Sequence, residues 1–141
     1  MIFAYAPLRR QHIDIGAAGT MPQVDIVPMY GGADGAALRS AVDRGAKGVV
    51  VQALGMGNMN ESMFEGVKYA LSKQVPVVIA TRVHNGRVMA SYGFAGGGKT
   101  TSDAGAVMAD DLSPAKARIM LMLLLQSGVS GKPALQAAFD R

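Results

Sequence analysis

The fold is decided by the stretch GVVVQALGMGNMNESMFEGV, which occupies residues 48–67. Its first part, Gly48 to Leu54, is apolar and rich in valine, and such a run predicts a strand that is buried on both faces. The glycine-rich turn GMGNMN comes next, and beyond it apolar residues recur at helical spacing from Met63 to Leu71. The stretch therefore predicts a strand, a tight turn and a helix, which together form the repeating unit of a parallel α/β sheet.

Similar units lie on both sides of this stretch. The segment DIVPMY, residues 25–30, predicts a short buried strand, and Asp34 is a suitable N-cap for the helix after it. The apolar residues that share one face of that helix are Leu38, Ala41 and Val42. The segment PVVIATRV, residues 76–83, predicts a third strand. Because such units connect through right-handed crossovers, we expect a three-layer α/β/α sandwich with about four parallel strands.

The remainder of the chain is less regular. A long glycine-rich loop is expected over residues 85–101, and the peptide AGAVMADD, residues 104–111, fits either a short strand or a turn of helix. Ser113, followed by a proline, predicts the start of a helix that runs to Gln126. The apolarity of this helix on all sides predicts burial on most of them. A final amphipathic segment, residues 133–139, closes the domain.

Length and composition fit one domain. The chain has 141 residues, of which 50% are hydrophobic, and this is enough for one sizeable core. We interpret residues 1–23 as an extended lead-in or interdomain linker and residues 24–141 as the domain. The net charge of +4 comes from scattered basic residues, which disfavours a nucleic-acid partner. The most apolar run is far shorter than the roughly 20 residues that cross a bilayer, so no membrane segment is expected.

Neither the N-terminus nor the cysteine content settles the cellular compartment. Arg9 and Arg10 follow an apolar stretch instead of preceding it, which is the wrong order for a secretory signal. The signal of an exported parent would therefore lie upstream of Met1. The absence of cysteine excludes disulfides, thiol catalysis and cysteine-based metal sites, but both periplasmic and cytoplasmic domains can lack this residue.

The sequence carries no convincing nucleotide, metal or cofactor motif. Residues 93–100, GFAGGGKT, match the pattern of a phosphate-binding loop. Such a loop joins a buried strand directly to a long helix, whereas here the preceding segment is a poor strand and Gly105 interrupts the segment after it. We interpret residues 93–100 as part of a flexible glycine-rich loop. His12 and His84 have no partner at metal-ligand spacing, so neither a metal nor a cofactor is expected.

The turn at residues 55–60 is the best candidate for a functional site. It lies at the carboxyl end of a predicted strand, where parallel sheets bind ligands beside helix N-termini. Gly55 and Gly57 let the backbone turn tightly and approach a ligand. Asn60 occupies an N-cap position, and its amide could either cap the following helix or point at a substrate. The residues alone leave both interpretations open.

Beyond Val24 the succession of motifs resembles the C-terminal domain of bacterial type II asparaginases. The segments that carry the resemblance are DIVPMYGGADG, GAKGVVVQALGMGNMNESMFEGV, VPVVIATRVHNGRV and DDLSPAKARIMLMLLLQSG. In that family the second strand ends in a Gly-x-Gly-Asn-x-Asn turn, which is filled here in order by Gly55, Gly57, Asn58 and Asn60. The spacing from this turn to three later segments also fits the family. They are the Thr-Arg pair at residues 81 and 82, the Leu-Ser-Pro-x-Lys-Ala-Arg segment at residues 112–118 and the leucine-rich helix at residues 119–125.

The resemblance implies an amidohydrolase that converts L-asparagine to aspartate and ammonia with a threonine nucleophile in an N-terminal domain. Asn60 would reach across a subunit interface to the substrate in a neighbouring protomer's pocket, while Gly55, Gly57 and Asn58 would shape the turn. The parent would be a homo-oligomer, a tetramer by resemblance, and the periplasm is slightly favoured. We expect self-association through helix faces near Asn60 and the leucine-rich helix. An Asn60 side chain buried in its own protomer would argue against this role.

Two family features are missing. The sequence contains neither the Thr-Gly-Gly-Thr turn nor the Thr-Asp-Thr turn of the N-terminal domain, so we expect no catalytic residue in this chain and no activity from it alone. Between Thr81 and Ser102 it also has no Asp or Glu, although the family places there an acidic residue that contacts the substrate's amino group. The preference for asparagine over glutamine is therefore open. The competing hypothesis is a stand-alone flavodoxin-like module that binds a small ligand or assembles through the same loops.

Overall fold

The computed structural model describes residues 12–16 and 19–140. Within them, four strands form one parallel sheet whose neighbours follow chain order. The strands are β1 (Val24–Pro28), β2 (Gly48–Ala53), β3 (Val77–Thr81) and β4 (Val107–Met108). The helices are α1 (Ala36–Asp43), α2 (Glu61–Ser72), α3 (Gly98–Asp103), α4 (Pro114–Gln126) and α5 (Lys132–Phe139).

The two central strands form the apolar centre of the domain. All of β3 is buried, and in β2 only Gln52 is partly exposed. The strands pair in register, so that Val50 lies beside Ile26 on one side and Val78 on the other. β-branched side chains suit these strands because helices cover both faces of the sheet.

The helices form two outer layers. α1 and α2 pack side by side against the sheet, and α4 packs across β1, β2 and β3. The α4 layer lies so close to β2 that a Cβ added to Gly48 would be 2.8 Å from Leu121 Cδ2. The predicted three-layer α/β/α sandwich with a four-stranded parallel sheet is confirmed.

The segment that fitted either a strand or a helical turn contains the edge strand β4. On its inner side the sheet pairing continues for one residue, since the Ala109 N–H donates to the carbonyl of Ile79 at 2.9 Å. On its outer side the Gln136 side chain of α5 takes the place of a strand. Its Oε1 accepts from the Met108 N–H at 2.8 Å, and its Nε2 donates to the Met108 carbonyl at 3.1 Å.

One predicted helix cap is displaced and one is confirmed. The N-cap of α1 is Gly35 and not Asp34. Asp34 lies one position before the cap, and its carboxylate accepts the Ala36 N–H at 3.0 Å. Ser113 is the N-cap of α4 as predicted, with its hydroxyl accepting the Lys116 N–H at 3.5 Å.

The prediction that α4 is buried on most sides is wrong for its outer face. Ala117, Leu121 and Leu124 are buried, whereas Ile119 is 49% exposed. The sheet covers only one side of this helix, so its outer apolar residues stay accessible. Among the described residues, no helix combines the length and the apolarity needed to cross a membrane.

The predicted lead-in is described only in part. Residues 12–16 and 19–23 form neither helix nor strand. Residues 1–11, 17 and 18 lie outside the described residues, so the interpretation of this segment as a linker stays a prediction.

α1 and α2 meet at two glycines. A Cβ added to Gly35 would lie 2.6 Å from the carbonyl oxygen of Ser62, and one added to Gly66 would lie 3.0 Å from the Gly35 Cα. At the other end of the pair, the Tyr69 hydroxyl donates to Asp43 Oδ1 at 2.6 Å, and this hydrogen bond raises the pKa of Tyr69 above its ordinary value. The close backbone approach places the loop after β1 directly against the N-terminal end of α2.

Replacing Gly35 with alanine should lower the free energy of unfolding by about 1–3 kcal/mol, because the added methyl group has no space beside α2. Gly31→Ala is the matched control, since nothing lies within 4 Å of a Cβ at that position. Urea denaturation of both variants measures the difference. Equal stability of the two variants would contradict the close packing of α1 on α2.

Candidate functional site

The turn at residues 55–60 leaves the carboxyl end of β2 as a short hairpin. Leu54 donates to the Asn58 carbonyl at 2.9 Å, and Asn58 donates to the Leu54 carbonyl at 2.8 Å. Gly55 and Gly57 have φ angles of 51° and 108°, a backbone conformation that other residues rarely adopt. The turn therefore depends on glycine at both positions.

The glycine-rich loop after β3 packs against this turn through its backbone. The Met89 N–H donates to the Met56 carbonyl at 3.0 Å, and the Met59 N–H donates to the Gly96 carbonyl at 2.9 Å. These bonds join the two segments at both ends of the turn. The loop is thus attached to the turn by hydrogen bonds, and the interpretation of residues 93–100 as part of a flexible loop stays a prediction.

Side chains complete the contact between the two segments. The carbonyl oxygen of the Asn58 side chain accepts the Gly98 N–H at 3.3 Å. The backbone of Gly57 lies against the buried side chain of Val88, where an added Cβ would be 2.7 Å from Val88 Cγ1. Any larger residue at position 57 would push the turn away from the loop.

Asn60 is the N-cap of α2, which confirms the capping interpretation of this residue. Its Oδ1 accepts the Met63 N–H at 2.8 Å, and its Nδ2 donates to the Ala33 carbonyl at 2.6 Å. The second bond joins the turn to the loop after β1. One amide group therefore connects the loops that follow β1 and β2.

The Asn60 amide keeps hydrogen-bonding capacity beyond these two bonds. A side-chain amide offers two N–H donors and two acceptor lone pairs, and the described residues use one of each. The residue is partly exposed and not buried in its own protomer. The contact with a substrate in a neighbouring protomer stays a prediction.

Two carboxylates flank Asn60 on the exposed surface. Glu61 follows it in the first turn of α2, and Asp34 follows Ala33 in the loop to which the amide binds. Both acidic residues are exposed. The edge of the sheet therefore combines a neutral amide, two negative charges and the positive end of the α2 dipole.

The phosphate-loop pattern lies outside the context that nucleotide binding requires. No strand occurs in residues 85–97, and α3 has only six residues. Lys99 forms an ion pair with Asp103 at 2.7 Å, and the Thr100 hydroxyl donates to the Phe94 carbonyl at 2.7 Å. Gly96 lies against the backbone of Met59 in the turn at residues 55–60, whereas Gly97 and Gly98 lie against the loop's own backbone at Tyr92 and Met89.

In the described part of the chain, the histidines are not arranged as candidate metal ligands. His12 and His84 are both exposed. Within residues 12–16 and 19–140, no group of three or more His, Cys, Asp or Glu residues is arranged to bind a metal ion.

Two residues that shape the site carry weak or no sequence signals. Thr81 is buried at the end of β3, and its hydroxyl donates to the Gly55 carbonyl at 2.6 Å while accepting the Val83 N–H at 3.0 Å. A polar residue at the end of an apolar strand could have indicated this role. Ala33 contributes only its carbonyl group, which no sequence pattern reveals.

Residues 23–139 match the family model of the glutaminase/asparaginase C-terminal domain. The chain therefore belongs to the glutaminase/asparaginase family and comprises its C-terminal domain.

Longer proteins of this family are similar to the chain. It is 40% identical over 108 residues to a "Probable L-asparaginase" of Deinococcus radiodurans, a match that covers 77% of the chain and 32% of the relative. It is 34% identical over 111 residues to an L-asparaginase of Bacillus licheniformis, covering 79% of the chain and 34% of that protein. A third relative, the L-asparaginase 2 of Bacillus subtilis, is 34% identical over 120 residues, or 85% of the chain and 30% of that protein.

A solved structure shows the same fold. The crystal structure of a "Probable Cytoplasmic L-asparaginase" from Campylobacter jejuni matches with a TM-score of 0.79 and 31% sequence identity, over 90% of the chain and 39% of that protein. The chain thus spans about a third of the length of the asparaginases that it matches.

Replacing Asn60 with alanine should lower the free energy of unfolding by about 1–3 kcal/mol, because the cap and the bond to Ala33 are both lost. Asn60→Asp should lose less, since a carboxylate still caps α2 but cannot donate to the Ala33 carbonyl. Ser113→Ala, at a cap whose bond is longer at 3.5 Å, is the control for capping alone. Urea denaturation gives the ranking, and an unchanged Asn60→Ala variant would contradict it.

Proposed function

We propose that this chain supplies the substrate-contacting and interface-forming domain of an asparaginase-like amidohydrolase, which converts L-asparagine to L-aspartate and ammonia. In the proposed enzyme, the Asn60 amide reaches the substrate in a neighbouring protomer's pocket. The observation that carries the proposal is the fixed position of this amide at the carboxyl edge of the sheet, with one donor and one acceptor left for a ligand.

The chemistry of an amide suits this contact. A zwitterionic amino acid carries a carboxylate, an ammonium group and, in asparagine, a side-chain amide, so a neutral group can bind it without adding charge. The two bonds to Ala33 and Met63 fix the direction of the Asn60 side chain before any substrate binds. Asn60 then orients the substrate and takes no part in bond breaking.

Hydrolysis itself requires residues from another domain. The chain has neither the Thr-Gly-Gly-Thr turn nor the Thr-Asp-Thr turn that supply the nucleophile in the asparaginase family. It also spans only about a third of the asparaginases that it matches. In this proposal the chain provides geometry and substrate contact, and the bond-breaking groups lie in the part of the enzyme that it does not include.

The carboxylates beside Asn60 are candidates for the missing contact with the substrate's ammonium group. The loop after β3 has no acidic residue before Asp103, but Asp34 and Glu61 lie next to the two residues joined by the Asn60–Ala33 bond. Both are exposed at the same edge of the sheet. A carboxylate there would favour a free amino acid over an amide without an amino group.

The loop packed against the turn supports the interface part of the proposal. Its large apolar side chains Met89, Tyr92 and Phe94 are 51%, 47% and 53% exposed. The ring centroids of Tyr92 and Phe94 lie 6.1 Å apart, so the two exposed aromatic side chains are neighbours. Neighbouring exposed aromatic side chains are typical of protein–protein interfaces.

A chimera tests the proposed activity. This chain should replace the matching third of the Deinococcus radiodurans relative, and ammonia release should be measured with asparagine and glutamine. The chimera should release ammonia from asparagine, whereas the chain alone should release none. Asn60→Ala in the chimera should lower kcat/KM about tenfold, mainly through KM, because one hydrogen bond to the substrate is lost.

The control for the chimera is Ser113→Ala, which removes a helix cap on α4 rather than on α2. This variant should keep the KM of the unsubstituted chimera. A folded chimera without activity on either amide would contradict the proposed function.

Self-association tests the interface. The chain alone should sediment as a concentration-dependent oligomer, because the apolar side chains of the loop lack cover. Phe94→Ser should shift the equilibrium toward monomer, and Ile119→Ser provides the same change on the outer face of α4. A monomer at high concentration, measured by analytical ultracentrifugation, would argue against both surfaces.

A further inference from the structure

Asp110 has an unusual backbone conformation just beyond the end of β4. Its φ angle is 56°, in the left-handed region that residues other than glycine rarely adopt. Its side chain is only 15% exposed and accepts a hydrogen bond from Arg87 Nε at 2.5 Å. A disfavoured conformation at a partly buried charged residue suggests that the side chain has a specific task.

Asp110 binds the start of the glycine-rich loop through two different groups. Its carboxylate accepts from Arg87, and its backbone carbonyl accepts the Val88 N–H at 3.0 Å. The hydrogen bond to Asp110 also raises the pKa of Arg87 above its ordinary value. Two consecutive loop residues are therefore fixed to one residue at the end of β4.

The same loop residues contact the turn that carries Asn60. The Val88 side chain fills the space beside Gly57, and the Met89 N–H donates to the Met56 carbonyl at 3.0 Å. A continuous set of contacts thus leads from Asp110 through residues 87–89 to the turn. Movement of the loop entrance would be passed directly to this turn.

We propose that Asp110 and Arg87 form a positioning pair, which fixes the glycine-rich loop and thereby determines the position of the turn at residues 55–60. The link from this pair to substrate binding rests on the proposed function. Neither residue is assigned a contact with the substrate.

The choice of residue at position 110 supports the proposal. Glycine adopts the left-handed conformation without steric cost, so glycine would satisfy the backbone better than aspartate. Aspartate is tolerated there and adds the carboxylate that binds Arg87. Position 110 therefore carries a charged side chain although its backbone conformation favours glycine. The carboxylate gives the loop a second bond to Asp110, in addition to the one from the Val88 N–H.

Amide hydrogen exchange on the chain tests the pair. In Asp110→Asn the amides of Met89 and Met59 should exchange about tenfold faster, because the loop opens more often when the charged bond is lost. The Val49 amide, which donates to the Pro76 carbonyl inside the sheet, should keep its rate. Asp25→Asn is the matched control, since Asp25 also forms an ion pair, with Arg44 at 3.6 Å. Asp25 lies in β1, at the edge of the sheet opposite β4.

Two further variants separate positioning from general stability. Arg87→Gln should accelerate the same amides, and the double variant with Asp110→Asn should add little, as expected for two partners of one bond. Asp110→Gly should melt no lower than the unsubstituted chain, because it relieves the backbone, yet still show faster exchange at Met89. Equal acceleration of every amide, or of none, would overturn the proposal.

The chimera connects the pair to the proposed function. There, Asp110→Asn should raise KM several-fold while kcat changes little, and Asp25→Asn should change neither. An unchanged KM would overturn the link between this pair and substrate binding. An inactive unsubstituted chimera counts against the proposed function alone, since the exchange rates on the isolated chain still decide whether the pair positions the turn.

Discussion

Parallel pairing of β2 with β3 brings the loops that follow these strands to the same edge of the sheet, and the candidate site depends on how closely those loops fit. Val51 lies beside Ile79 in the paired strands, so the chain leaves both strands at nearly the same level. The two loops then meet backbone to backbone. The Val88 side chain occupies the space beside Gly57, and the hydrogen bonds across the contact fix the turn that carries Asn60.

Asn60 connects structure and proposed function through one small group. Its amide caps α2 and binds the loop after β1, which gives the side chain a fixed direction without burying it. An amide can satisfy two protein partners and still offer one donor and one acceptor. In the proposed function, this fixed amide is the group that contacts the substrate.

The phosphate-loop pattern shows why a motif needs its structural context. Glycines allow a backbone to approach another group closely, and that group can be a phosphate or a second protein segment. In GFAGGGKT the neighbours are the turn at residues 55–60 and the loop's own backbone, and Lys99 is paired with Asp103. The same residue types therefore serve packing within this domain.

The sequence by itself determined the elements whose signals are local. The apolar strands β2 and β3, the buried face of α1 and the capped start of α4 agree with their predictions, because valine-rich runs, helical spacing and a Ser-Pro pair each act within a few residues. The family resemblance was readable for the same reason, since its motifs are short and ordered along the chain.

Only the tertiary structure decided the features that depend on distant partners. The strand β4 has two residues and is defined by its pairing with β3 and by Gln136 from α5. The cap of α1 is Gly35 and not Asp34, at a position where a side chain would meet the backbone of α2. The Asn60–Ala33 bond and the Arg87–Asp110 pair likewise join residues that are far apart in sequence. The exposure of the outer face of α4 depends on which side of the helix the sheet covers. Local patterns carry no information about such contacts, because they exist only after the sheet has brought its loops and helices together.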